Sequence, residues 1–64
     1  MKEKKTLQQR EKELQALMAT PKGRKELSEL EARCLAAGGK MRPAAASVIT
    51  YILVHEREQG LIVN

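Results

Sequence analysis

The sequence predicts an all-α fold: a small three-helix domain with helices over about residues 7–18, 21–37 and 43–59, preceded by a disordered N-terminus. Three observations carry this. Thr6 and Thr20 each precede a stretch whose apolar residues recur at three- and four-residue intervals. Glycines stand where helices would stop, at Gly38-Gly39 and at Gly60. The one stretch rich in strand formers, Val48 to Val54, has no β-branched or alternating partner before the final Leu61-Ile62-Val63.

Met1 to Lys5 is charged and terminal, so it reads as a disordered basic tail and leaves residues 6–64 as a single helical domain. Thr6-Leu7-Gln8-Gln9 fits a capping box, with the Thr hydroxyl and the Gln9 side chain each satisfying a backbone N–H of the other. The helix that follows has its apolar stripe at Leu14, Leu17 and Met18. Leu7 stands a heptad before Leu14, with Arg10 and Glu11 in between, so only the second half reads as firmly packed.

Thr20-Pro21 starts the second helix, because proline at the first helical position loses no hydrogen bond. Leu27, Leu30, Cys34 and Ala37 form its apolar face, widened by Leu35, and Lys25, Glu29 and Arg33 form an i, i+4 charge ladder on the other side. For the third helix Pro43 offers a start, and Ala45, Val48, Ile49, Ile52 and Leu53 make one face. Gln59-Gly60-Leu61 fits a Schellman stop with Leu61 packing back. Tyr51 and Val54 fall away from Ile49 and Leu53, so this helix is apolar on a second side. Either the first helix covers that side or another molecule does.

A chain of 64 residues holds one core, and a domain this small hides only about 60% of the surface of its unfolded chain. Tyr51 is the only aromatic residue, with no Trp or Phe, so the core is built from aliphatic side chains and is thin. Oligomerisation is one remedy open to such a domain. Cys34 is the only cysteine, which excludes an internal disulfide, and no signal segment opens the chain, so a cytoplasmic setting is expected. Val48 to Val54, interrupted by Thr50, falls far short of the roughly 20 residues that span a bilayer.

Catalytic chemistry finds little material. Cys34 and His55 are the only thiol and imidazole; the cysteine lies on an apolar stripe, and the histidine lies near a helix C-terminus, where a cation is favoured. Two such groups, even with Glu58 one turn after His55, fall short of a four-ligand metal set. Gly38-Gly39-Lys40 lacks the strand, the glycine spacing and the hydroxyl residue of a phosphate loop. No enzyme, cofactor, metal, membrane or small-molecule substrate is inferred.

The charge balance is 12 Lys plus Arg against 8 Asp plus Glu, a net +4. Lys22, Arg24 and Lys25 crowd the start of the second helix, whose dipole favours acids there, and Glu56 and Glu58 are misplaced at the end of the third. If the two helices run antiparallel, these violations cancel by pairing; the alternative is an anionic ligand at Lys22, Arg24 and Lys25. Lys40 and Arg42 are separated from that cluster by the second helix, so the five cations do not form one patch, although each remains a candidate anion or nucleic-acid contact.

Ser47 to Val63, with Ser-Val-Ile-Thr leading to Glu-Gln-Gly-Leu-Ile-Val, resembles the end of a winged-helix recognition helix over about a quarter of the chain. The resemblance implies a DNA-binding or regulatory protein with a helix-turn-helix-like C-terminal half, reading DNA through Ser47, Thr50 and Tyr51. The Gly38 to Pro43 loop is longer than the usual turn, and Glu56 and Glu58 would repel phosphate. The leading expectation is therefore a non-catalytic interaction module that binds a protein partner or a second copy of itself. Tyr51, Val54, Leu61 and Ile62 are its partner-binding residues.

Overall fold

Thr6 begins the first helix by the expected reciprocal capping. Its hydroxyl accepts from the Gln9 amide at 3.1 Å, and the Gln9 side chain accepts from the Thr6 amide at 2.9 Å. In the computed structural model, which describes residues 4–64, the chain forms α1 (Leu7–Met18), α2 (Pro21–Ala36) and α3 (Val48–Glu58), each packed against the other two. Residues 1–3 of the expected tail lie outside the described residues. Lys5 is not free as expected, since its carbonyl accepts from the Val63 amide at 3.0 Å and its ammonium pairs with Glu13.

Two helix ends are set by glycine. Gly38 (φ 94°) and Gly60 (φ 74°) occupy the left-handed region that residues with a Cβ avoid. Around them the amides of Gly39 and Leu61 reach back to the carbonyls of Cys34 and Glu56, both at 2.9 Å, which is the Schellman pattern at both helices. The start of α3 differs from the expected Pro43. Arg42 donates to the Ala46 carbonyl at 2.7 Å, and Ser47 is extended (φ −70°, ψ 157°), so the helix does not run back through Ala46. The Thr50 amide instead donates to the Ser47 hydroxyl at 3.1 Å, so Ser47 is the cap and 43–46 is a turn.

The core consists of Leu14, Leu27, Cys34, Ile52, Leu53 and Ile62, with Leu7, Leu17, Leu30, Val48, Ile49 and Tyr51 packed around it. Ile62 is 5% exposed, so the sequence's placement of this residue on a partner surface is corrected: it closes the core between the N- and C-terminal ends. Leu61 takes the opposite role at 61% exposed, and its expected packing back onto α3 does not bury it. Met18, Leu35 and Ala37 likewise lie outside the core.

The first half of α1, which lacks an apolar stripe, is held by other means. Leu7 packs on the core, its amide bonds the Val63 carbonyl, and Thr6 and Val63 form an isolated parallel β-bridge. Arg10 grips Glu56 of α3 with both arms of its guanidinium, Nε to Oε1 at 2.8 Å and Nη2 to Oε2 at 2.9 Å. This bond holds the Arg10 proton more tightly than usual, against the opposing effect of burial. The expected pairing of Glu56 and Glu58 with the start of α2 is thus corrected. Among the described residues Lys22, Arg24 and Lys25 have no carboxylate partner, and the Lys25, Glu29 and Arg33 ladder forms no ion pair either.

At the α1–α2 corner Gly23 is buried, and a Cβ there would meet the Leu17 carbonyl oxygen at 2.0 Å. Helix propensity alone makes Gly23→Ala stabilising by about 1 kcal/mol. The clash reverses the sign, and urea denaturation is expected to show a loss of about 2 kcal/mol or more. A neutral or stabilising result would mean that the helices do not cross this closely. Arg10→Ala is expected to cost about 1–2 kcal/mol, less than for a fully buried pair because solvent reaches the rim, and Arg10→Lys is expected to recover only part of it. The same denaturation series checks both.

Candidate functional site: a groove on the second face of helix three

Tyr51, Val54, His55 and Glu58 recur at three- and four-residue intervals along α3, so they share one side of it. No α1 residue lines this side, and α2 reaches it only through its C-cap Ala37. The α2–α3 connection instead runs alongside, and between the two lies an open groove of about 440 Å³. Its loop wall is made by Gly38, Gly39, Lys40, Met41 and Pro43, and its floor by the α3 residues.

The loop is anchored at two points. The Tyr51 hydroxyl donates to the Lys40 carbonyl, and Arg42 bonds Glu31 at 2.7 Å as well as the Ala46 carbonyl. Gly39 permits the close approach. A Cβ at this position would lie 2.7 Å from the Cys34 carbonyl oxygen, 2.9 Å from the Tyr51 hydroxyl and 3.2 Å from His55 Nδ1. One glycine suffices to stop a helix, so the second of the pair carried a signal of close packing that sequence reasoning assigned to the helix stop alone.

The groove is apolar where it opens. Met41 is 83% exposed and Val54 is 41% exposed, whereas Tyr51 is half-buried with its ring against the core. Of the four residues expected to bind a partner, the structure brings Tyr51 and Val54 together here. Leu61 is exposed but does not line the groove, and Ile62 is internal. Met41 and Pro43 join the site only because the loop folds back, which no periodicity in the sequence encodes.

The candidate anion contacts are dispersed. Lys22 and Lys25 are exposed at the start of α2, while Arg24 donates to the Met18 carbonyl at 3.0 Å and so caps the end of α1. Arg42 is engaged within the chain, and Lys40 is exposed beside the groove. With α2 16 residues long, the two groups stand about 24 Å apart at 1.5 Å per residue. Two of the hydroxyls that the winged-helix resemblance assigns to DNA donate within the chain: Ser47 to the Thr50 hydroxyl at 3.0 Å, and Tyr51 to the Lys40 carbonyl.

Cys34 lies under the loop, 7% exposed. Burial first, and the nearby charges of Glu56 and Glu31 second, push its thiol above the ordinary range, so it stays protonated and weakly nucleophilic. Burial first, then the nearby Cys34 thiol in its charged form and Glu31, raise the Tyr51 phenol. Among the described residues no three potential metal ligands cluster, and no helix is long and apolar enough to cross a membrane. Comparison of the chain with protein-family profiles, curated proteins and solved structures finds no match.

The raised thiol and phenol have a pH consequence. Because the unfolded chain releases these protons before the folded one does, stability falls as pH rises above about 8.5, the ordinary thiol value. Urea midpoints at neutral and alkaline pH are expected to show the decline, and Cys34→Ala to make it shallower. An alkaline decline unchanged by Cys34→Ala would exclude the thiol as its source. At neutral pH a chromogenic disulfide reagent is expected to label Cys34 on the order of a hundredfold more slowly in the native protein than in urea.

Proposed function

We propose that this chain is a non-catalytic helical interaction module that associates with a second copy of itself through the groove on α3. The observation that carries this reading is the uncovered apolar surface formed by Val54 and Met41 on a domain whose core is only six side chains. A small domain with so little buried apolar surface gains more from a second copy than a larger one does. A cytoplasmic setting goes with the reading, supported by a single free thiol without a disulfide partner in the chain. A nucleic-acid role has weaker support, because the cations are dispersed and two of the arginines are engaged within the chain.

Sedimentation equilibrium over a dilution series tests the proposal. The mass of the wild-type chain is expected to rise from 7.2 kDa toward twice that value as concentration increases. Val54→Glu is expected to keep the monomer mass throughout while retaining its helical circular dichroism, since Val54 is not part of the core. A monomer mass independent of concentration for the wild type would overturn the proposal.

A further inference from the structure

The groove carries one exposed cation and one exposed anion that nothing within the described residues neutralises. Lys40 and Glu58 both line it, and neither takes part in the four ion pairs found among the described residues. Their backbones are held at different levels of the groove, Lys40 at Tyr51 and Glu58 at the end of α3. The Lys40 carbonyl accepts from the hydroxyl of Tyr51, the first α3 residue to line the groove, whereas Glu58 is the last residue of α3. Along the helix, positions 51 and 58 are about 10 Å apart at 1.5 Å per residue. Val54 and His55 lie midway between them.

A surface with an apolar centre, a positive end and a negative end is complementary to itself when turned through 180° about its midpoint. Two-fold symmetry is the commonest closed arrangement for two identical chains, and it pairs residue i of one with residue j of the other, and j with i. We propose that the second copy docks with its α3 antiparallel, Val54 against Val54 of the other copy at the axis, and that Lys40 of each copy pairs with Glu58 of the other. The inference rests on the self-association reading above and adds its geometry. Turning α3 antiparallel also sets the positive end of one helix dipole beside the negative end of the other. A parallel arrangement would bring Lys40 against Lys40 and Glu58 against Glu58, so the charges select the direction of docking as well as the partner.

The test uses charge reversal in the full chain, followed by sedimentation equilibrium at low salt. K40E and E58K are each expected to raise the dimer Kd on the order of tenfold, because each turns two attractions into two repulsions, and added salt is expected to shrink the effect. The double variant K40E/E58K is expected to restore the wild-type Kd. The decisive measurement mixes the two single variants. In the mixed dimer every pair across the axis is again of opposite sign, so K40E with E58K is expected to associate as tightly as the wild type. Rescue in the double variant without rescue in the mixture would place the pairing inside one chain and overturn the proposal. A wild-type dimer indifferent to both reversals would overturn the docking geometry while leaving self-association standing; a monomer at all concentrations would overturn both. Thermal melting of each variant in the monomer range confirms that the fold is intact, as expected for two exposed residues without partners in the fold.

Discussion

The bidentate grip of Arg10 on Glu56 is the constraint around which the rest of this small protein is arranged. The pair joins the polar first half of α1 to the last turns of α3, where apolar packing alone offers little. It also removes two local liabilities at once: an arginine interrupting the α1 stripe, and a carboxylate near a helix C-terminus whose dipole disfavours it. Partial burial favours a bidentate guanidinium here over a lysine, since the planar fork satisfies both carboxylate oxygens in a fixed geometry. The Lys5 and Glu13 contact belongs to the same neighbourhood, with Glu13 bonded to both Lys5 and Arg10 and its carboxyl held below the ordinary range by Lys5 first and Arg10 second.

With α1 committed to that end of α3, the two chain ends come together. Val63 bridges to Thr6, and Ile62 joins the core cluster, supplying an aliphatic side chain that three short helices would otherwise lack. The cost of this arrangement is the opposite side of α3. Because α1 and the C-terminal segment occupy one face, Tyr51 and Val54 are left to the α2–α3 connection, which reaches Tyr51 but leaves Val54 open. The groove is thus a by-product of how the core is closed, and its loop wall stands because Gly39 can approach Tyr51 and His55 and because Arg42 is tied to Glu31 and Ala46.

Much of the fold was legible in the residues. The start of α1 follows from the Thr6 capping box, the start of α2 from Thr20-Pro21, and the ends of α2 and α3 from Gly38 and Gly60, because caps are local chemistry confined to a few neighbouring residues. The helical state of Val48 to Glu58 was legible for a different reason: a strand without a partner cannot satisfy its backbone. The start of α3 was not, because the competition between Pro43 and Ser47 is decided by Arg42, whose hold on the Ala46 carbonyl is itself steadied by Glu31 on another helix.

For the site the division is similar. The sequence by itself determined that α3 is apolar on two sides and that Tyr51 and Val54 lie on the second, since both statements follow from helical spacing along one element. Only the tertiary structure decided what covers that side, separated exposed Leu61 from buried Ile62, and turned the charges at the start of α2 away from Glu56. Those outcomes depend on which elements meet, and a difference of one residue after Gly60 sends a side chain either to solvent or to the core. Periodicity ranks the faces of a helix, but the partner of each face is chosen by the sum of contacts over the whole chain.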